Sequence, residues 1–244
     1  KKFVTFITSL LIAFSFAKTV LADGHQVYGP YPITLKGYDG DKTNSVKYTG
    51  QMARHALHDS LKAVVKTGDV AKMMAYYNGE DGLAIVAPAS KGDFVIKQTM
   101  ISEIGSGNLS GKMYKGYIPG WGNLTGPEAI EHMMAKAGEV EGGFDPNTGM
   151  DYTQLISKFA MGAVFYNQAV NSYLGSKMEI GQKPNSEPYK EGAYYTGKEH
   201  SWDEAFGYWG SAAHALTLTA EQNYNVAKKK DMASADFNGD GVVD

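Results

Sequence analysis

The chain contains no cysteine among its 244 residues. Disulfide bonds and thiolate chemistry are therefore excluded, and a metal site would have to be built from oxygen and imidazole ligands. The formal net charge is -3 and no basic run exceeds three residues, so the sequence offers no electrostatic footprint for nucleic acid. After residue 22, no apolar run approaches the roughly 20 residues that a membrane-spanning helix needs. We therefore expect neither a nucleic-acid partner nor a membrane span in the mature chain.

Common catalytic motifs are missing as well. The sequence has no H-E-x-x-H zinc helix, no G-x-S-x-G nucleophile elbow and no G-x-x-x-x-G-K-[ST] phosphate loop. A familiar hydrolase or nucleotide-binding enzyme is therefore not predicted.

The first 22 residues have the composition of a secretory signal peptide. Lys1 and Lys2 form a basic start, Phe3–Ala17 is an apolar run, and small residues precede the expected cleavage point after Ala22. This pattern predicts export. Together with the lack of cysteine, it favours a bacterial periplasmic or extracellular location.

Helical periodicity dominates residues 23–235, which we expect to form one helical domain. Apolar residues recur at helical spacing in Gln51–Lys66, Asp69–Tyr77 and Asp151–Leu174, where the last stripe includes Tyr166, Val170 and Tyr173. The pair Asn78-Gly79 is expected to end the second of these helices, and a capping box at Thr125–Glu128 predicts the start of a further one. No convincing pair of strands accompanies them. The sequence predicts a mainly α fold, an antiparallel helical bundle with long irregular loops, in which Asp151–Leu174 lies near the centre.

The segment Gly197–Gly210 carries the most specific pattern in the chain. Thr196 precedes it and fits a capping box that would start a helix. Trp202, Phe206 and Trp209 recur at spacings of four and three, which predicts one apolar stripe. We expect this stripe to be buried against the long Asp151–Leu174 helix.

His200 and Glu204 lie one helical turn apart on another side of the same helix, with Asp203 beside them. A histidine and carboxylates at this spacing can bind one metal ion, such as iron or zinc, or share one proton. These residues are our candidate metal ligands. The alternative interpretation is an aromatic core helix whose His–Glu pair is only a surface contact.

Polar residues of Gln51–Lys66 could extend this site if the two helices pack together. His55, His58 and Asp59 could then supply further ligands. Arg54 could instead form a structural ion pair with Asp203 or Glu204, which would compete with metal binding. The alternative is that they are solvated residues beside an apolar stripe.

The last nine residues match the beginning of a calcium-binding loop. Counted from its first residue, the match places side-chain oxygens at positions one, three, five and nine, a glycine at six and a backbone carbonyl at seven. In that order the ligands are Asp236, Asn238, Asp240, Asp244 and, through its carbonyl, Val242. The acid of position twelve would fall beyond Asp244, so we expect 236–244 to begin a truncated calcium loop that is complete only in the intact protein. An Asn/Asp/Gly turn is the alternative.

Three blocks resemble an uncharacterised family of exported bacterial proteins. They are the H-x-W-D-E-A-F-G-Y signature within Glu199–Gly210, Y-T-G-Q-M-A-R at Tyr48–Arg54, and F-A-M-G-A-V-F-Y at Phe159–Tyr166. The family is distantly similar to imelysin-like proteins, which are helical periplasmic or surface proteins linked to metal uptake, some of them catalogued as metallopeptidases. The imelysin hallmark is G-x-H-x-x-E, whereas His200 and Glu204 are four residues apart.

These observations predict a non-enzymatic, metal-associated binding protein of the bacterial envelope, with metal acquisition as its role. A metal-dependent hydrolase of peptides or glycans is one alternative. A calcium-stabilised surface module that binds polymers through aromatic loops near 114–121 and 189–195 is another. A metal ion is the one partner predicted, and no protein partner can be named.

Overall fold

The structure, a computed structural model, describes residues 31–86, 96–236, 239–241 and 243. Four predicted features lie outside the described residues: the signal peptide at 1–22, Asn238, Val242 and Asp244. Within the described part, none of the helices is long and apolar enough to cross a membrane.

Helices make up most of the described chain, which confirms the predicted mainly α class. The α-helices are α1 (Thr49–Val65), α2 (Val70–Asn78), α3 (Ile101–Ile104), α4 (Gly126–Gly138), α5 (Tyr152–Ala160), α6 (Gly197–Trp209), α7 (Ala220–Ala227) and α8 (Met232–Ala235). A π-helix from Met161 to Tyr173 continues α5 directly. Between α4 and α5, the short strands β1 (Phe144–Asp145) and β2 (Met150–Asp151) pair antiparallel.

Local signals set several helix boundaries as the sequence predicts. Asp69 caps α2 by accepting a hydrogen bond from the backbone N–H of Lys72 at 2.9 Å. Gly79 ends that helix in the left-handed conformation, with φ of +63°. At the start of α4, the Glu128 carboxylate accepts from the backbone N–H of Thr125 at 2.7 Å, as in a capping box.

Helix α1 lies in the core of the helical bundle. It packs against α2, α3, α5 and α6, and its Leu57, Leu61 and Val65 are fully buried. Each such side chain stabilises the fold by about 1.5–3 kcal/mol relative to an exposed position. The predicted central rod, α5 with its π-helix, packs against α1, α4 and α6.

The buried face of that rod differs from the predicted one. Tyr166 and Val170, which were expected in the apolar stripe, are 62% and 40% exposed, whereas Val164 and Phe165 are buried. The π-helix explains the difference, because its i→i+5 hydrogen bonds add a residue to each turn and rotate the stripe.

The prediction that Trp202, Phe206 and Trp209 are buried against the long helix is wrong. Trp202 is 50% exposed, Trp209 is 75% exposed, and Phe206 is only partly buried. Helix α6 does pack against the π-helix, but its buried side chains include Ala205 and Tyr208 instead.

The close approach of α6 to α1 explains this reversal. A Cβ atom added at Gly207 would lie 2.7 Å from the Cβ of Gln51 and 2.8 Å from the Cβ of Tyr48. The Nε2 atom of His55 lies 2.9 Å from the Gly207 carbonyl oxygen, one of the terminal carbonyls that a helix leaves unpaired. A side chain at position 207 would not fit, so the glycine face of α6 meets α1 here and Trp202 and Trp209 occupy other faces of the helix.

We predict that Gly207→Ala destabilises the protein by about 1–3 kcal/mol through overpacking, although alanine favours helices over glycine by about 1 kcal/mol. Gly162→Ala is the matched control, because a Cβ there meets no atom within 4 Å. Urea denaturation followed by circular dichroism measures both variants. Equal unfolding free energies for the two would contradict the proposed contact.

Candidate functional site

A capping box fixes the start of α6, the helix that carries the candidate ligands. Glu199 accepts a hydrogen bond from the backbone N–H of Thr196 at 2.7 Å, and the Thr196 hydroxyl accepts from the Glu199 N–H at 3.2 Å. The Thr34 hydroxyl donates to the other Glu199 oxygen at 2.6 Å. The start of α6 is therefore anchored both locally and by the segment that precedes α1.

His200 and Glu204 meet one turn apart on this helix. Their Nε2 and Oε2 atoms are 3.4 Å apart, and their side chains are 15% and 18% exposed. The Gln51 side chain, from α1, donates to the other Glu204 oxygen at 2.8 Å. The predicted pair is thus brought together in a largely buried position that solvent still reaches.

Aromatic rings hold the His200 imidazole in place. Its ring lies 4.6 Å from that of Tyr189 and 4.7 Å from that of Tyr195, measured between centroids. Burial lowers the pKa of His200, the charge of Glu204 opposes this, and three cations add to the lowering. These cations are Lys177, Lys183 and Lys190. The imidazole is therefore mainly neutral at pH 7.

Two buried tyrosines, each with a cation over its ring, lie close enough to Glu204 to be affected by its charge. The rings of Tyr173 and Tyr208 are 5.5 Å apart, and burial raises the pKa of both hydroxyls, with the charge of Glu204 adding to the rise. The Lys177 ammonium lies 3.3 Å from the Tyr173 ring centroid and Arg54 lies 5.7 Å from that of Tyr208. Burial lowers the pKa of Lys177 to about 8.

Asp203, the third predicted ligand on α6, is oriented differently from the pair. It is 2% exposed, and its carboxylate accepts a hydrogen bond from the backbone N–H of Lys47 at 3.1 Å. Consecutive helical residues point about 100° apart, so Asp203 anchors the chain before α1 while Glu204 contacts Gln51.

His58 and Asp59 on α1 have other partners than the His200–Glu204 pair. His58 Nε2 lies 3.1 Å from the Ser157 carbonyl oxygen, and Asp59 forms an ion pair with Lys229. Burial raises the pKa of Asp59, but the hydrogen bond from His58 and the charge of Lys229 outweigh this effect. The pKa of Asp59 therefore lies well below its usual range.

Arg54 also differs from its predicted role. Its guanidinium donates to the carbonyl oxygens of Asn108 at 2.9 Å and Gly50 at 3.0 Å, whereas the sequence suggested an ion pair with Asp203 or Glu204 as one possibility. Across residues 31–86, 96–236, 239–241 and 243, no group of three or more His, Asp or Glu side chains is placed to hold a metal ion.

The described part of the C-terminal segment forms a tight turn around Asp236. Its carboxylate accepts hydrogen bonds from the backbone N–H groups of Gly241, Gly239 and Asp240 at 2.7, 2.7 and 3.1 Å. These bonds lower the pKa of Asp236. Gly241, at position six of the predicted loop, has φ of +88°.

Three residues at the site were not predicted to be functional. Gln51 stands inside the family-like block at Tyr48–Arg54, so its position there is a signal that could have identified it. Tyr173 was assigned only to a helical stripe. Lys177 stands in a short connecting turn, and nothing in its local sequence points to the site.

Comparison with known proteins identifies a domain of unknown function, DUF4856, at residues 125–240. The matched range includes His200 and Glu204 but not α1, which supplies Gln51. No curated protein and no solved structure matches the chain. The predicted resemblance to an uncharacterised family is thus confirmed at the level of a domain of unknown function.

We predict that Glu204→Gln lowers the pKa of both His200 and Lys177, the latter from about 8. The carboxylate charge favours the protonated form of each group, so removing it makes protonation harder. Titration of side-chain signals by NMR measures both values. Glu131→Gln, an exposed change on α4, should leave them unchanged, and an increase in either pKa in Glu204→Gln would contradict the assignment.

Proposed function

We propose that this chain is an exported, non-enzymatic metal-associated binding protein of the bacterial envelope that acts in metal acquisition. The His200–Glu204 pair is the part that holds the ion, which is iron or zinc. The contact between these two side chains carries the proposal, and the distant resemblance to imelysin-like proteins that the sequence suggests supports the class.

The separation of the pair suits a shared ion. Two ligand atoms bound at about 2.1 Å in a tetrahedral site lie about 3.4 Å apart, and His200 Nε2 and Glu204 Oε2 are separated by 3.4 Å. This distance is longer than that of a strong N–H···O hydrogen bond, about 2.9 Å. Imidazole nitrogen with carboxylate oxygen is also a donor set that suits zinc and iron.

The small number of protein ligands favours an exchangeable ion over a structural one. Structural zinc sites are closed by four protein ligands, whereas the described residues bring together one histidine and one carboxylate here. The remaining positions are left for water or for a molecule that accompanies the metal. This arrangement suits a protein that takes up and releases its ion.

The protonation of His200 supplies a direct readout. Its Nδ1 atom is buried and has no hydrogen-bond partner among the described residues. Metal bound at Nε2 requires the proton on Nδ1, while a simple His200–Glu204 hydrogen bond requires the proton on Nε2. Nitrogen-15 NMR of the imidazole, with and without metal, distinguishes the two tautomers.

We predict that His200→Ala and Glu204→Gln each weaken binding of Zn²⁺ or Fe²⁺ by more than about tenfold, since even outer-shell changes cost roughly 10–100-fold. Isothermal titration calorimetry of the purified protein measures the affinity. His132→Ala is the control, because His132 is exposed on α4. Absence of binding, equal loss in the control, or an Nε2–H tautomer that persists with metal would refute the proposal.

A second candidate, calcium stabilisation of the C-terminal loop, is favoured by the turn around Asp236. Three backbone N–H groups point at one carboxylate oxygen pair, and a glycine occupies the sharp-turn position of a calcium loop. The hydrogen bonds keep Asp236 ionised, as a calcium ligand must be.

We predict that calcium raises the melting temperature of the full-length protein by at least about 5 °C at one hundred times Kd, where linkage contributes about 2.7 kcal/mol. Asp240→Ala should abolish the shift. Asp81→Ala, an exposed change beyond α2, should retain it. Differential scanning calorimetry measures the melting temperatures of all three proteins. Equal calcium-induced shifts in both variants would show that the segment is a simple turn and not a calcium-binding loop.

A further inference from the structure

A shallow cavity beside the π-helix is separate from the His200–Glu204 site and shares no lining residue with it. Its volume is about 370 Å³, within the roughly 300–1,000 Å³ typical of small-molecule sites. The lining residues that matter here are Tyr114, Phe159, Gly162, Tyr166, Asn167 and Asn171.

Hydrogen bonds hold the wall of this cavity against the π-helix. The backbone N–H of Tyr114 donates to the Ala163 carbonyl oxygen at 2.7 Å, and the Gln168 amide donates to the Lys112 carbonyl oxygen at 2.9 Å. A Cβ at Gly126 would lie 2.0 Å from the Tyr114 carbonyl oxygen, so α4 starts directly against this segment. The cavity is therefore formed before any ligand binds.

Aromatic rings and amides meet at this cavity. Tyr114 and Tyr166 are 43% and 62% exposed, which leaves ring surface available for stacking. Asn171 Nδ2 donates to Asn167 Oδ1 at 3.2 Å. No other hydrogen bond within the described residues uses Asn167 Nδ2 or Asn171 Oδ1, so one donor and one acceptor stand side by side.

We propose that this cavity binds a short stretch of a neutral carbohydrate chain. Sugar rings present C–H faces that pack on aromatic rings, and their neighbouring hydroxyls both donate and accept hydrogen bonds, which matches the Asn167–Asn171 pair. A purely apolar ligand would bury these amides without partners, at a cost of about 1–3 kcal/mol each. Among the described residues that line the cavity, Lys158 is the one that carries a charge, so a strongly charged ligand has little to pair with.

Gly162 lines the cavity, so a larger residue at this position tests whether the cavity binds the sugar. A Cβ there meets no atom within 4 Å, so Gly162→Leu projects into open space at the cavity and introduces a stronger helix former. Tyr166→Ala removes a stacking surface. We expect cellohexaose, chitohexaose or maltohexaose to bind the full chain in isothermal titration calorimetry, and each variant to lose at least about tenfold in affinity, as is typical of anchor residues.

Tyr224→Ala is the matched control for Tyr166→Ala, because Tyr224 is 56% exposed on α7 and does not line the cavity. It should bind the same oligosaccharide with unchanged affinity, and melting temperatures establish that every variant is folded. Three results would overturn the proposal: no binding of any of the three sugars, affinity that survives Gly162→Leu, or binding only of the apolar dye anilinonaphthalene sulfonate. The outcome is independent of whether metal binds at His200.

Discussion

The close approach of α6 to α1 at Gly207 is the constraint on which the candidate metal site depends. Because a side chain at this position would collide with Gln51 and Tyr48, the rotation of α6 about its axis is determined by this contact. That rotation brings Glu204, which lies three residues before Gly207, onto the Gln51 amide. It also turns Tyr208 inward. Small residues at a helix crossing thus decide which polar groups meet.

Glu204 organises the electrostatics of that site. Its charge favours the protonated forms of His200 and Lys177 and opposes ionisation of Tyr173. A divalent ion held by Glu204 would repel the Lys177 ammonium, whose pKa of about 8 already lies near neutrality. Neutralising the Glu204 charge with an ion would therefore lower the pKa of Lys177 further.

Sequence reasoning succeeded where the cause of structure is local. Capping boxes located the starts of α4 and α6, and the i,i+4 spacing was sufficient to pair His200 with Glu204, because both depend on residues within one turn. It failed for Trp202 and Trp209, since their exposure follows from a contact between α6 and α1 that neither helix encodes alone. The approach of Gln51 to Glu204 has the same long-range origin, and only its place in the Tyr48–Arg54 block pointed to it. The proximity of Lys177 to Glu204 has no such signal in the sequence.

The π-helix Met161–Tyr173 is the second element whose effect lies outside local periodicity. Its wider turn places Phe165 between α1 and α6, with its ring 4.3 Å from that of His55 and 6.1 Å from that of Tyr208. Tyr166 faces outward and is 62% exposed, whereas the regular helical period of the sequence predicted it in the apolar stripe. π-Helices are rare and usually no longer than a single turn, so we attribute the persistence of this one to the contacts around it. The buried Phe165 supplies such contacts on the inner side of the helix. On the outer side, the exposed Tyr166 leaves its ring accessible to a ligand.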